Sequence, residues 1–485
     1  MKSGKQYLSY LFLLIILTGC SPQNNIKLPA GSKGYIEVSK VNPSYFAFSD
    51  GSSYIPVGIN MINPSGKFRN NPDSSLYEIE QWMKALSSNG GNYVRVWLSQ
   101  SFWDIEDKKA GEYSEEKIKR IDRFVEMARE NGLRIKMTLE HFRSLTLQEN
   151  NQSWANKSVY HTSNGGPLDS IRQYLTSEEG RELFLRKVDF YKKRYGNDTL
   201  FFGWELWNEM NAMKGPEDEI FFEWNQQMLN EVKKRFPHNL VMQSFGSFDY
   251  DGVRADYKRL MLMPGNEVAQ VHRYLDLGAR MEVCHAPMDI ICSSAIEEIK
   301  SYNTGKPILL AETGAVEPRH SGPSKFYAVD TAGILLHDIL FAPFFSGSAG
   351  SGMSWHWESY VDKNRLWYHF GRMSKVIDGL DPVAENFKST FSETERFRVY
   401  TLSGNKTNLI WLRDKNNTWQ TELRDGQAPE LISGQNLDIA KAGIDVQMKN
   451  VEVYDPWQDK WKTIKSDGSE IILPDFRRSL VVRIR

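Results

Sequence analysis

Apolar stretches with the pattern of buried strands alternate with amphipathic helical stretches over most of the chain. Helices such as 114–132 begin at a serine cap with an acidic first turn and end at glycine. Further helices are predicted at 217–236, 286–303, 325–340 and 366–378. The eight predicted strands are residues 54–60, 92–98, 134–141, 200–207, 239–245, 267–272, 307–312 and 352–357.

Eight strand–helix alternations predict an α/β fold, a (β/α)8 TIM barrel, over residues 34–382. A doubly wound open sheet is the alternative, but it would need fewer units. The glycine-rich phosphate-binding patterns common in that fold are not present in the sequence.

The last hundred residues have a different pattern. Short alternating runs such as 396–402, 407–414 and 479–485 are separated by turn sequences. This spacing predicts a small C-terminal all-β sandwich, which we assign to residues 383–485 as an accessory domain. The transition is expected near Pro382.

The N-terminus has the pattern of a targeting segment. Lys2 and Lys5 precede a short apolar run that closes with Leu-Thr-Gly-Cys at Cys20. This box resembles a bacterial lipoprotein processing site, which implies a signal peptide at 1–20, a lipidated Cys20 and a flexible tether at 21–33. An exported protein anchored by lipid in the cell envelope, at the outer membrane or periplasmic face, is then expected. An uncleaved membrane anchor is the alternative, although the apolar run is short for a span.

Composition narrows the possible partners. The formal net charge of −1 gives no electrostatic case for nucleic acid. The 14 tryptophans suit a ligand with flat apolar faces, as sugars have. Cys284 and Cys292 fit either a disulfide or two buried thiols, and they make no zinc signature.

Chemistry in such a barrel sits at the carboxyl ends of its strands. Glu209 and Glu312 end strands four and seven, which lie across the barrel mouth from each other, as suits two acids flanking a glycosidic bond. We expect Trp204 and Trp207 to desolvate Glu209 and so favour its protonated form. Glu209 would then be the general acid and base. The other residues at strand ends are Arg95, His141, Asn208, His272, Tyr274, Trp355 and Trp357.

Hydrogen bonds from Arg95 and Tyr274 are expected to hold Glu312 ionised as the nucleophile. Arg95 could instead pair with Glu140. Glu205 is interpreted as structural, and Glu358 as a group that hydrogen-bonds the substrate.

The WNE sequence ending at Glu209 and the AETG sequence around Glu312 resemble glycoside hydrolase family 5, the cellulase and β-mannanase family of retaining glycosidases. The resemblance implies an acid/base Glu209 and a nucleophile Glu312, with Asn208 bonding the sugar 2-hydroxyl. Arg95 and Tyr274 would orient the nucleophile. The remaining implied roles are support of the site by His272, a pocket position for His141, and a sugar-subsite floor formed by Trp355, with Trp357 as the alternative.

The predicted function is retaining hydrolysis of a β-linked glycan, without a metal or organic cofactor. A carbohydrate-binding protein without turnover and a transglycosylase remain alternatives. The sugar and the choice between endo and exo action are expected to depend on the long loop 143–176 and the loop after strand eight. Loop aromatics that either stack on sugars or simply pack are Trp97, Phe102, Trp103, Trp154 and Tyr160.

Overall fold

The computed structural model describes residues 33–68, 70–141, 158–212, 218–440, 444, 450–464 and 470–485. The predicted signal peptide, Cys20 and residues 21–32 of the predicted tether lie outside the described residues, as do Trp154 and the first part of the long loop. Within the described residues no helix combines the length and apolarity needed to cross a membrane.

Parallel strands form the barrel, which confirms the predicted fold class. The predicted strand 54–60 is shorter than expected, because Tyr54 pairs instead in a small antiparallel sheet. The first seven barrel strands are Gly58–Asn60, Tyr93–Trp97, Arg134–Glu140, Phe201–Trp207, Leu240–Met242, Ala269–Asp276 and Ile308–Val316.

An extended segment around Ser354 closes the barrel as its eighth strand. Ser354 pairs in parallel with Ile59 of strand one and with Thr313 of strand seven. The Asn60 N–H donates to the Ser354 carbonyl at 3.1 Å, so the two ends of the sheet are joined. The prediction that this strand reaches residue 357 is wrong, because a wide helical turn, Trp357–Asp362, begins there.

The amino-terminal end of the barrel is closed by the antiparallel strands Ile36–Val38, Phe46–Phe48 and Ser53–Tyr54. Phe46 packs edge-on against Phe202, with ring centroids 5.0 Å apart. This apolar cluster lies at the end of the barrel opposite the strand ends that carry the predicted chemistry.

The helices follow the predicted caps. The side chains of Ser114 and Ser177 accept N–H bonds from the first turns of their helices. The predicted helix 325–340 is displaced, because a short turn, Lys325–Ala328, precedes a helix that begins at Ile334. The helices are Pro72–Ser88, Glu115–Glu130, Ile171–Thr176, Glu178–Tyr195, Asp218–Arg235, Arg254–Leu262, Met288–Ser301, Ile334–Phe345, Tyr368–Ile377 and Pro382–Glu385.

Short helical turns occur in several loops. These turns are Gly66–Phe68, Thr162–Asn164, Met210–Ala212, Asp251–Val253, Glu282–His285, Pro318–His320, Lys325–Ala328, Trp357–Asp362 and Gln420–Arg424. Most of the barrel's turns lie at its mouth or beside it, where they shape the approach to the strand ends.

The C-terminal region is an antiparallel six-stranded sheet that packs on the barrel. A two-stranded pair, Asn436–Asp438 with Glu470–Ile472, covers its other face and makes the layers of the predicted sandwich. In spatial order the six strands are Lys388–Glu393, Phe397–Ser403, Asn408–Asp414, Ser479–Ile484, Val451–Asp455 and Lys460–Ile464. The domain limit at 382 stays a prediction.

Helix Ile334–Phe345 lies between the barrel and the sheet, and all of its residues are buried. Two ion pairs cross this boundary. Arg398 binds Asp289, and Arg413 donates to Asp338 at 2.8 and 3.2 Å. Burial raises the pKa of Asp338 to about 6, although the Arg413 charge opposes that shift. The boundary between the barrel and the sheet is thus as buried as a protein core, and each charged side chain in it is stabilised by its oppositely charged partner.

Arg413→Met tests this dependence, because it leaves Asp338 buried without its cation. We expect the free energy of unfolding, measured by urea titration, to fall by about 3–5 kcal/mol. The matched control is Arg424→Met, which removes an arginine that pairs with its neighbour Asp425 at the surface. The control should leave the urea midpoint unchanged, and equal effects of the two variants would contradict a role for the boundary ion pair.

Candidate active site

The two predicted catalytic glutamates lie together in the barrel mouth, and each is 1% exposed. Glu209 lies two residues beyond the end of strand four, and Glu312 lies within strand seven. One carboxylate oxygen from each and one ring nitrogen of His272 are all within 4.8 Å of one another. The fold therefore brings two acids from strands far apart in sequence to within reach of a single bond.

Glu209 has an unusual backbone conformation, with a φ of 51°. That left-handed conformation favours glycine, so a glutamate there is strained. The Glu209 N–H donates to Ser244 Oγ at 3.4 Å, and the Glu209 carbonyl accepts from the Ala212 N–H at 2.9 Å. These bonds hold the turn that aims the carboxyl group into the mouth.

Arg95 connects the site. Its buried guanidinium donates to Glu312 at 2.8 Å, to Asn208 at 2.6 Å and to Asn60 at 3.2 Å. It also donates twice to Glu205, at 2.7 and 2.9 Å. A pairing of Arg95 with Glu140, which the sequence left open, is wrong, since Glu140 binds Lys187.

Below Arg95, Glu205 anchors a polar layer inside the barrel, in agreement with its structural interpretation. It accepts hydrogen bonds from Thr138 at 2.6 Å and Gln270 at 3.2 Å, and Lys136 lies 3.4 Å away. Although burial opposes it, the charges of Arg95 and Lys136 hold the pKa of Glu205 well below its ordinary range. Burial in turn lowers the pKa of Lys136 to about 7. Glu205 is thus an anion that fixes Arg95 from beneath.

His272 and Tyr274 bind the two acids from strand six. His272 Nδ1 lies 2.9 Å from Glu209 and 3.7 Å from Glu312. The Tyr274 hydroxyl donates to Glu312 at 2.6 Å. Glu312 therefore receives a cation and a phenol, which stabilise its negative charge, whereas Glu209 lies against the imidazole of His272.

Two polar groups in this buried cluster make no hydrogen bond within the described residues. They are Asn208 Nδ2 and His272 Nε2. Buried polar groups are normally paired, so both atoms can still bond a ligand. The Asn208 amide oxygen is already held by Arg95, which orients the amide.

A cavity of about 530 Å³ opens above Glu312. Trp97 and Trp355 form one wall, with ring centroids 5.0 Å apart, and His141 stacks on Trp97 at 5.1 Å. The cavity is lined by Trp97, Gln100, His141, Tyr274, Glu312, Val316, His320, Gly322, Pro323, Trp355, His356, Trp357, Glu358 and Ser359.

Trp355 and Trp357 are the two tryptophans that follow the eighth strand segment. Their rings are perpendicular, at 89°, and both border the cavity. Trp357 is 6% exposed and packs edge-on against Trp82, whereas Trp355 is partly exposed. The indole of Trp355 is therefore the more accessible of the two.

Other aromatic predictions are corrected. Trp204 does not desolvate Glu209, because it stacks on Phe236 at 4.2 Å in the helical layer. Trp207 likewise packs edge-on against Trp224 at 5.9 Å. Strand four therefore directs these indoles toward the helices, and the Glu209 carboxyl group contacts the polar side chain of His272.

The loop aromatics divide between packing and the cavity. Trp103 is buried and donates to the Ile62 carbonyl at 2.9 Å, and Tyr160 is buried against Glu106. Phe102 lines a neighbouring cleft, and Trp97 lines the cavity itself.

Three other predicted residues are now placed. Glu358 borders both openings, and burial raises its pKa. Cys284 and Cys292 are free, buried thiols without a disulfide between them. The sequence allowed either a disulfide or two buried thiols, and the structure has two buried thiols.

Several cavity and support residues were missed from the sequence. Asn60 ends strand one and obeys the same strand-end rule that found Arg95, so it was within reach of that rule. Ser99 was also missed. Its Oγ lies 2.6 Å from Nδ1 of the predicted His141, and a contact between two strand ends leaves no pattern in the sequence. His320 lies in a loop after strand seven and had no sequence signal. His356, between the two tryptophans, was overlooked.

Comparison with known proteins agrees with this geometry. The family model for Cellulase (glycosyl hydrolase family 5) matches residues 58–332. A solved structure described as a glycoside hydrolase is 13% identical, covers 93% of this chain and 97% of its own, and has a TM-score of 0.59. A family 5 glycoside hydrolase from Bacteroides vulgatus ATCC 8482 is 13% identical, with 93% of each chain covered and a TM-score of 0.56. Comparison with curated proteins gave no match.

Glu205→Gln tests whether the buried layer supports the chemistry. Without the Glu205 anion, Arg95 loses its anchor, and we expect kcat on an aryl β-glycoside to fall on the order of a hundredfold with a smaller change in KM. The control is Glu140→Gln, which removes a buried carboxylate on the neighbouring strand that pairs with Lys187 instead. At temperatures where both variants are folded by circular dichroism, equal kcat values would contradict a specific role for Glu205.

Proposed function

The chain belongs to glycosyl hydrolase family 5, and from that premise we propose that it hydrolyses O-glycosidic bonds in β-linked glycans with retention of configuration. The observation that carries the proposal is the carboxylate pair, whose nearest oxygens lie within 4.8 Å. Retaining enzymes hold their carboxyl groups about 5–5.5 Å apart, whereas inverting enzymes leave about 6.5–9.5 Å for a water molecule. The short gap supports direct attack by a side chain.

Glu312 is the nucleophile of the proposed first step. Its carboxylate attacks the anomeric carbon and forms an ester, while the bond from that carbon to the leaving oxygen breaks. Arg95 and Tyr274 donate to Glu312, so they hold its charge in position before attack. Glu209 gives its proton to the leaving oxygen, and the product departs as a neutral alcohol.

In the second step Glu209 acts as the base. Its carboxylate takes a proton from water, and the water oxygen attacks the anomeric carbon. The bond to Glu312 breaks, which regenerates both carboxyl groups in their starting states. His272, at 2.9 Å from Glu209, orients that carboxyl group in both steps.

Sugar binding is proposed for the unpaired Asn208 amide and for Trp355. Asn208 Nδ2 is buried beside the carboxylate pair and has no partner within the described residues, so it suits the 2-hydroxyl of the sugar under attack. Trp355 offers an apolar face at the cavity wall for a pyranose ring. A β-linked glucan or mannan, as in the cellulase and mannanase family, is the proposed substrate class.

The proposal extends to location. The Leu-Thr-Gly-Cys box at Cys20 supports a lipid anchor that would hold the enzyme in the cell envelope. Such an anchor suits an enzyme that acts on glycans outside the cytoplasm. Residues 21–32 would then link the anchor to the barrel.

The mechanism is tested with Glu209→Ala, after a panel of aryl β-glycosides has identified a substrate. An aryl leaving group departs without a proton, so the intermediate should still form, whereas its hydrolysis should slow on the order of a hundredfold. Azide needs no base, so added azide should restore turnover and yield the β-glycosyl azide, as identified by NMR.

Glu312→Ala is the matched control. Its vacated nucleophile site lets azide attack the substrate directly, so the product should be the α-glycosyl azide. An inverted azide from Glu209→Ala, or full activity in either variant, would refute the assigned roles.

The anchor is tested with Cys20→Ser. Without the thiol no lipid is attached, so the protein should leave the membrane fraction or keep its unprocessed mobility on a gel. The protein would be followed by immunoblotting of separated membrane and soluble fractions. Unchanged fractionation and mobility would show that Cys20 is not lipidated.

A further inference from the structure

A second cluster of two carboxylates and a histidine borders the cavity. His320 Nε2 lies 3.6 Å from Asp276 Oδ2, 3.9 Å from Asp249 Oδ2 and 3.2 Å from Ser247 Oγ. One ligand atom from each of Asp249, Asp276 and His320 lies within 4.8 Å of the others. Three separate segments thus converge on one point beside the barrel mouth.

Asp276 is buried and only half satisfied. It is 1% exposed, and its Oδ1 accepts the N–H groups of Gly278 at 2.7 Å and Arg319 at 3.0 Å. Its Oδ2 accepts no hydrogen bond from any described residue, and the 3.6 Å to His320 is too long for one. This second oxygen of an almost fully buried side chain is therefore open to another group that could bind it.

Asp249 adds a second negative charge at the same point. Within the described residues, its one contact to a basic group below 4 Å is the 3.9 Å approach to His320. Two carboxylates so close to each other repel unless a positive charge lies between them. The arrangement differs from that of Glu312, whose charge is met directly by Arg95.

We propose that Asp249, Asp276 and His320 bind a divalent first-row cation such as Zn²⁺ or Mn²⁺. Metal bonds of about 2.0–2.2 Å place neighbouring ligand atoms at separations like those found here, which exceed hydrogen-bond lengths. The imidazole favours these ions over Ca²⁺ and Mg²⁺, which prefer oxygen ligands alone. Ser247 Oγ or a water completes the ligand set.

The cation would have a structural role next to the reaction site. His320 lines the cavity, and its ring meets Tyr274 edge-on with centroids 4.9 Å apart. Arg319 and His320 both have left-handed backbones, with φ of 63° and 56°, so the loop holds strain that a bond to His320 would stabilise. Binding would fix this part of the cavity wall. The proposal concerns binding and does not depend on the proposed hydrolysis.

The test is calorimetric titration of the purified full chain, freed of metal by chelation, with Zn²⁺, Mn²⁺ and Ca²⁺ separately. We expect one equivalent of Zn²⁺ or Mn²⁺ to bind, with at least tenfold weaker binding of Ca²⁺ and a rise in the thermal midpoint. Asp276→Asn should weaken Zn²⁺ binding at least a hundredfold. Asp251→Asn, which changes an exposed aspartate of the same loop paired with Arg254, should bind like the parent.

His320→Gln guards against misfolding of the buried variant. Its side chain is 25% exposed, so the change should be tolerated, and it should weaken binding to a similar degree. Co²⁺ gives a second readout, because visible bands of a nitrogen-containing site should be lost in His320→Gln.

Two outcomes would overturn the proposal. If no cation bound to the parent chain, the cluster would not be a metal site. If binding survived Asp276→Asn and His320→Gln but was lost in Glu312→Gln, the ion would occupy the cluster of Glu209, His272 and Glu312 instead.

Discussion

The contact on which the site depends is that of Arg95 with two carboxylates at once. One guanidinium, fully buried, bonds Glu205 beneath it and Glu312 above it. Arginine suits this task because its planar group donates in several fixed directions and keeps its charge when buried. Removing a buried charge from its partner is costly, so each of these three residues fixes the other two. The position of Glu312 is thereby set by the interior of the barrel and not by its loops.

The interior of the barrel has to be polar because the buried charges of Arg95 and Glu205 need hydrogen-bond partners, whereas the layers around it are apolar. Lys136, Thr138 and Gln270 surround Glu205, so the Arg95 network continues downward as a closed set of hydrogen bonds. The tryptophans of strand four face the other way and pack among the helices. Trp204 and its neighbour Glu205 alternate, so the strand places a packing residue on one side and a polar residue of the barrel interior on the other. The strained Glu209 is held where these two demands meet at the end of the strand.

Much of the fold and of the candidate site can be predicted from the sequence, and the features that cannot be predicted have physical causes. Barrel strands are recognisable in a sequence as apolar runs between capped helices. Polar residues at the carboxyl ends of these runs are also recognisable, and they identify Arg95, Glu209 and Glu312. The direction of a side chain is harder to predict from the sequence, because the chain leaves regular strand geometry after Trp207 and again at Trp357. The expectation that Trp207 desolvates Glu209 therefore failed. His320 had no signal, since its place in the cavity depends on a loop conformation.

The barrel mouth contains two clusters of the same composition, each with two carboxylates and one histidine, and their surroundings give them different properties. In the first, Arg95 and Tyr274 donate directly to Glu312, so the pair of acids carries its charge without an added ion. In the second, Asp276 receives backbone N–H groups on one oxygen, and the gap between Asp249 and His320 has no cationic side chain within the described residues. The first arrangement has the geometry on which the proposed catalytic roles rest. The second has no such donor to Asp276 Oδ2 within the described residues, and that difference underlies the proposal that it binds a cation.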